Sequence, residues 1–290
     1  MRLYTIQIEK HQQLAVECGN HRLCLLKDFG IKYESMNELI TSISDAELED
    51  IRYKAAHNDF GNALRSYGMG DAHICAPIPK PMQDIICLGA NYDEHMRELG
   101  AKTEGYTIYF SKRVNEATGA FDAIPSYSGY VDSLDYEVEL AAVIGRDAKA
   151  VSVSDALSHV FGYMIINDVS ARNLQFRHQQ WYLGKSLDGF SPMGPCIVTA
   201  DELPDIQNLS ITCTVNGELR QSSNTSYMIQ PVANAISELS QAMTLKAGTI
   251  IATGTPGGVA MGRKPPVFLK SGDEIVCEIE KIGMLKNTVE

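Results

Sequence analysis

The stretch Ser133-Leu-Asp-Tyr-Glu-Val-Glu-Leu-Ala-Ala-Val-Ile-Gly145 constrains this chain more than any other. Tyr136, Val138, Leu140, Ala142 and Ile144 alternate with their neighbours, which predicts a half-buried strand. Successive strand side chains point to opposite faces, so Asp135, Glu137 and Glu139 share the other one. Carboxylates two residues apart sit roughly 6.5 Å apart at Cα and repel each other unless a cation lies between them. Two readings follow: a solvated polar face, or an all-oxygen site for a hard divalent ion, Mg²⁺ or Mn²⁺.

At 290 residues the chain suffices for one large domain or two unequal ones. Its net charge of −11 argues against a broad nucleic-acid or anionic-membrane surface, yet a small anionic substrate needs only a few local cations. The seven cysteines (Cys18, Cys24, Cys75, Cys87, Cys196, Cys213, Cys277) are scattered and never spaced C-x-x-C. That predicts neither a disulfide framework nor a zinc site and points to a reducing cytoplasm. The first residues alternate as a strand instead of forming a signal peptide, and no apolar run is long enough to span a membrane.

Residues 1–75 read as a small α+β unit: a strand at 2–8, further segments near 12–17 and 22–26, and a capping box at Ser44-Asp-Ala-Glu47 opening a helix. Ala76-Pro-Ile-Pro-Lys-Pro81 is the best candidate linker, and 76–290 is then the second domain. If Asp93 to Leu99 is helical, His95 and Glu98 share a face, as an imidazole base and its orienting carboxylate require; an ordinary surface pair is the alternative. Glycines at 100 and 105 suggest a mobile lid over 91–105. Ser111-Lys112-Arg113 is a compact cationic spot at a strand end. Asp168 ends an apolar strand and is either a ligand or the N-cap of a helix on which Arg172 and Gln175 share a face. Lys185 and Asp188 lie in a polar loop, Asn216-Gly217 is a type I′ hairpin turn, and Gly254-Thr-Pro-Gly-Gly258 can present N–H groups or Thr255 to an anion.

Six of these segments occur in a specific order: Gly-Ala-Asn-Tyr-x-x-His, Asp-Tyr-Glu-Val-Glu-Leu-Ala, Ile-Asn-Asp-Val-Ser-Ala-Arg, Gly-Lys-Ser-x-Asp, Gly-Thr-Pro-Gly-Gly-Val and Ser-Gly-Asp. Over residues 80–285 the chain closely resembles the fumarylacetoacetate hydrolase family. The resemblance implies an α+β, mostly β fold, a mixed β-sandwich roll with a small N-terminal α+β domain, assembled as a homodimer. It further implies Mg²⁺ or Mn²⁺ on Glu137, Glu139 and Asp168, a His95/Glu98 dyad on a lid, and Lys185, Arg172, Gln175 and Thr255 around a small 2-oxo acid. The family usually has an acidic residue where Asn173 stands, and often Lys-Pro where this chain has Ser111-Lys112-Arg113. Arg113 is therefore expected to receive the far carboxylate of a dicarboxylic substrate.

A 2-oxo acid chelated at such a site would react through a metal-stabilised enolate. Isomerisation of a 2-hydroxyhepta-2,4-diene-1,7-dioate and C–C hydrolysis of the fumarylacetoacetate or acylpyruvate type are the leading expectations. Decarboxylation of an oxaloacetate-like acid is a third outcome, and an inert ligand-binding paralogue belongs to a different class.

Overall fold

The computed structural model describes residues 1–57, 66–100 and 105–290. Strands β1 (Arg2–Ile8), β2 (His11–Cys18) and β3 (Arg22–Leu25) form the expected meander, followed by helices α1 (Met36–Ser42) and α2 (Asp45–His57) and strands β4 (Ser66–Gly68) and β5 (His73–Ile74). Then come β6 (Ile85–Gly89), α3 (Asp93–Leu99), β7 (Ile108–Lys112), β8 (Ala123–Ile124), β9 (Leu134–Asp135) and β10 (Val138–Ile144). Next are α4 (Val153–Ala156), β11 (Val160–Asn167), β12 (Ser170–Ala171), α5 (Arg172–Arg177), α6 (Tyr182–Lys185) and β13 (Met193–Thr199). The chain ends with β14 (Ser210–Val215), β15 (Glu218–Asn224), α7 (Val232–Ala242), β16 (Ile250–Ala252), β17 (Glu274–Ile279) and β18 (Gly283–Val289).

A large mixed sheet runs in the order β4-β3-β2-β1-β13-β11-β10-β16-β6-β7, with β5 beside β1, and a second sheet runs β15-β14-β17-β18-β8. One face of the large sheet packs against the second sheet, where Val138, Leu140, Ala142 and Ile144 meet Ile211, Cys213, Ile275 and Cys277. The opposite face carries Ala141, Val143, Met164 and Ile166 and is covered by Met36, Leu39, Ile40 and Ile51 of α1 and α2. β10 is thus buried on both faces along its whole length, not half-buried as its alternation predicts. The reason is topological: β10 lies mid-sheet, and both layers that cover it come from distant parts of the chain.

The N-terminal segment joins the same sheet. β1 pairs antiparallel with β13 (Arg2↔Val198, Leu3↔Ile197), so hydrogen bonding continues across residue 75. The proline segment has no regular structure, as expected, but it is not an exposed tether. Ala76 and Ile78 are buried and the Pro77 carbonyl accepts from Thr5 Oγ1 at 2.7 Å. The Asn216-Gly217 turn has positive φ at both residues (52° and 76°), as a type I′ hairpin requires. Cys18 and Cys24 form a disulfide, contrary to the expectation of unpaired cysteines, and the other five are buried free thiols. Their six-residue separation looks random in sequence, but the β2–β3 register sets Cys24 opposite Val16 and brings the two side chains together. Among the described residues no helix is long and apolar enough to cross a membrane.

The capping box is realised reciprocally. Glu47 N–H donates to Ser44 Oγ (3.2 Å) while Glu47 Oε2 accepts from Ser44 N–H (2.9 Å). Ser44→Ala should lower the unfolding free energy by about 1 kcal/mol in urea titration, with an unchanged denaturant slope.

Candidate metal centre and active site

The carboxylates converge because three backbone features act together. β9 and β10 are interrupted at Tyr136–Glu137, where the chain bends out of the ladder. The β10–β11 register pairs Val138 with Asn167, which brings Asp168 beside Glu137; the Asp168 N–H donates to the Glu137 carbonyl at 2.9 Å. The Glu137 N–H is taken by Asn167 Oδ1 at 2.9 Å. Glu137, Glu139 and Asp168 each offer an oxygen within 4.8 Å of the others, and all three are buried.

Cations meet these acids unevenly. Lys185 Nζ, from α6, lies 2.7 Å from both Glu137 Oε2 and Asp168 Oδ2. Lys112 Nζ donates to the other Asp168 oxygen at 2.5 Å and to the Val169 carbonyl at 3.1 Å. On α5, Arg172 gives Nε to Asp135 Oδ2 (2.8 Å) and another nitrogen to Gln175 Oε1 (2.9 Å). Its remaining nitrogen is 2.7 Å from Glu137 Oε1 but off the hydrogen-bond direction, so that contact is electrostatic. Glu139 accepts from the Gly254 N–H at 2.8 Å and has no ion-pair partner among the described residues.

Titration follows this distribution. Burial opposes ionisation of Glu137, but Lys185 and Arg172 outweigh it and hold the group down at about 2. Burial, with the charges of Asp168 and Glu137, pushes Glu139 well above the usual carboxylate range. Burial also pulls Lys112 below the ordinary lysine value, against the pull of Asp168. A buried carboxylate beside two others and without an ion-pair partner is a donor that a divalent cation would satisfy. The donor set therefore fits a divalent metal.

Around the cluster is a cavity of about 180 Å³ that includes His95, Arg172, Gln175, Lys185 and Thr255 in its lining. Its apolar wall is Phe110, Phe176, Trp181 and Met261. His95 is buried; its Nδ1 has no hydrogen-bond partner and sits 3.6 Å from Glu98 Oε2. The helical i, i+3 spacing does bring the two together, as expected. The Glu98 carboxylate accepts from the Gly258 N–H (3.0 Å), which ties α3 to the 254–258 loop. Gly254 has φ 88°, and a Cβ there would lie 2.7 Å from that of Asn91, so only glycine lets this loop turn its N–H onto Glu139. Thr255 Oγ1 donates to the Val138 carbonyl (2.9 Å) and accepts from Gln221 (2.8 Å), so its hydroxyl is engaged with the protein. Of the lid expected over 91–105, residues 101–104 lie outside the described residues.

Arg113 does not join the site. Its guanidinium is exposed, 3.6 Å from Asp84, and the role expected for it at a far carboxylate has no support in the geometry. Period two explains both this and the residue that motif reading missed. Ile108 and Phe110 point into the cavity from β7, and Lys112, of the same parity, follows them inward and is fully buried. Arg113 has the opposite parity. Asp135 is likewise not a ligand with its neighbours: it accepts from Arg172 and from the Ala260 and Met261 N–H groups (2.7 and 3.1 Å), anchoring Arg172. Asp168 caps no helix; both its oxygens are held by lysines. Asn173 reaches the Tyr130 carbonyl outside the cavity. A larger cavity, about 780 Å³, lies near Tyr4, Ile74 and Phe121, but no buried carboxylate lines it, so size alone does not locate the chemistry.

Two packed sheets carrying a buried cluster of three carboxylates beside a histidine define the architecture and its candidate site. Residues 84–290 match the family model described as fumarylacetoacetate (FAA) hydrolase C-terminal, and the chain belongs to that family. It is 44% identical over 238 residues to oxaloacetate tautomerase YisK of Bacillus subtilis (strain 168), covering 81% of this chain and 78% of that protein. It is 46% identical over 217 residues to the mitochondrial oxaloacetate tautomerase Fahd2a of Rattus norvegicus, covering 74% of this chain and 68% of that protein. Its fold matches the fumarylacetoacetate hydrolase (EaFAH) of psychrophilic Exiguobacterium antarcticum with TM-score 0.85 at 37% identity, covering 100% of this chain and 99% of that one.

Glu139→Gln keeps an acceptor for the Gly254 N–H and removes the uncompensated charge. In EDTA this variant should melt no lower than the parent, and Mn²⁺ should raise the Tm of the parent but not that of the variant. Lys112→Met should cost about 3–5 kcal/mol in metal-free urea titrations, since it strands one oxygen of Asp168.

Proposed function

We propose that this protein is a divalent-metal-dependent enzyme that interconverts the enol and keto forms of a small 2-oxo acid of the oxaloacetate type. The observation that carries the reading is the cavity: about 180 Å³, with the three carboxylates at one end and an unpartnered His95 nitrogen in its wall. Cavities that take drug-sized ligands are roughly 300–1,000 Å³, so this one suits an acid of a few carbons better than a heptadienedioate. The identity to proteins named as oxaloacetate tautomerases supports the same direction.

Glu137, Glu139 and Asp168 would hold Mg²⁺ or Mn²⁺, which when bound would supply Lewis-acid stabilisation of charge on the 2-oxygen of the substrate. Asn167 fixes the backbone at Glu137, Lys112 and Lys185 fix the two Asp168 oxygens, and Arg172 is braced by Asp135 and Gln175 against Glu137. His95 is the group placed to take a proton from C3 and return it, with Glu98 beside it to stabilise the charged imidazole. Phe110, Phe176 and Trp181 keep bulk water off the carbanion-like carbon.

A second reading is C–C hydrolysis, which the likeness to EaFAH and the same histidine–carboxylate pair favour: His95 would then activate water instead of moving the C3 proton. One measurement separates the two. In D₂O with Mn²⁺, ¹H NMR should show enzyme-dependent exchange of the C3 protons of oxaloacetate, above the spontaneous rate, with no cleavage product from an acylpyruvate. EDTA should abolish the exchange, and His95→Gln should lower kcat by about 10²–10⁴. Cleavage without enzyme-dependent exchange would establish the hydrolase reading instead.

A further inference from the structure

One wall of the cavity rests on a close packing. An ideal Cβ on Gly89 would lie 2.4 Å and 2.8 Å from two carbons of the Trp181 six-membered ring and 3.2 Å from Ile108 Cγ2. The indole is thus seated directly on the Gly89 backbone, at a distance that only glycine permits. It is held there from the side by Phe110, whose ring meets it edge to face at 5.1 Å between centroids. Phe110 in turn lies under the Lys185 ammonium, 5.4 Å from the ring centre. The Trp181 carbonyl accepts from the Lys185 N–H at 3.1 Å, so the turn that delivers the lysine to the acids also delivers the indole to the wall. Gly89, Phe110, Trp181 and Lys185 all line the cavity.

We propose that Trp181, seated on Gly89, sets the length of the acid this site accepts. The inference rests on the enol–keto reading above and adds the substrate limit to it. Glu137, Glu139 and Lys185 line the same cavity of about 180 Å³. An acid anchored on those carboxylates must fit, with each added methylene, into the volume that the indole leaves, and the contacts with Gly89 and Phe110 hold the ring in the wall. Removing the indole enlarges this cavity without touching the carboxylates, so the gain falls on longer acids.

The test uses exchange of C3 protons for deuterium with Mn²⁺, read by ¹H NMR, on oxaloacetate and on 2-oxoadipate, which is two methylenes longer. In this reaction the C3–H bond breaks as the C2–C3 enol bond forms, and a deuteron from solvent restores the ketone, so both acids report without any other product. In Trp181→Ala the ratio of kcat/KM for 2-oxoadipate to that for oxaloacetate should rise at least tenfold over the parent, the scale set by about one misfitted methylene in an apolar pocket. Trp181→Leu should fall between the two, and it carries the same test if the alanine variant does not fold. Gly89→Ala, which drives a methyl into the ring, should not raise the ratio. A ratio unchanged within twofold in both Trp181 variants, with both acids slowed alike, would show that the indole supports the fold and overturn the proposal. A parent that exchanges neither acid would instead remove the enol–keto reading on which it rests.

Discussion

Three buried carboxylates crowded beside one small cavity are the constraint on which the rest of this structure turns. Like charges within 4.8 Å of one another, shielded from water, are sustainable only when cations are supplied from elsewhere. The fold brings Lys112 from β7, Arg172 from α5 and Lys185 from α6 to the cluster. Each approaches from a different stretch of chain, so the site cannot form until β7, β10, β11 and the α5–α6 segment are in place. The cations are still unequal at Glu139, which among the described residues accepts only from the Gly254 N–H, so the cluster keeps a donor set that fits a divalent ion.

The layered architecture serves this centre by making it dry. β10 is sandwiched between the second sheet and the N-terminal helices, and the acids sit where it breaks from β9. A strand with one wet face would have screened these charges from one another. The N-terminal segment is part of this packing: Met36, Leu39, Ile40 and Ile51 of its helices share one core with Ala141, Val143, Met164 and Ile166. Asp135 shows the same economy, since it spends its oxygens on Arg172 and two backbone N–H groups, and so orients a cation without binding one itself.

The motifs located most of the centre. Glu137, Glu139, Asp168, Lys185, Arg172, Gln175, His95 and Thr255 were all legible as candidates, and the structure places them around one cavity or, for Asp168, in the cluster at its end. Less was legible where a side chain's direction depends on strand parity. Lys112 and Arg113 are adjacent cations, and motif comparison favoured the arginine, yet alternation buries the lysine against Asp168 and leaves the arginine beside Asp84. The parity of Ile108 and Phe110 was a usable signal for it. Nothing in the spacing of the cysteines distinguished Cys18 and Cys24, because their meeting depends on hairpin register.

The sequence by itself determined which chemical groups this protein owns and their local order: a strand bearing paired glutamates, a helix presenting His95 with Glu98, a type I′ turn, a capped helix. These follow from interactions between residues a few positions apart, where period, capping and turn preference are decisive. Only the tertiary structure decided what those groups do. Whether a glutamate is a solvated face or a buried acceptor, and which of two neighbouring cations answers an acid, depends on burial and on distant partners: 56 residues separate Lys112 from Asp168 and 115 separate Gly254 from Glu139. The size of the cavity depends likewise on one indole meeting one glycine across the fold. Those contacts are long-range, and charge interactions gain their strength only once the surrounding chain has excluded water.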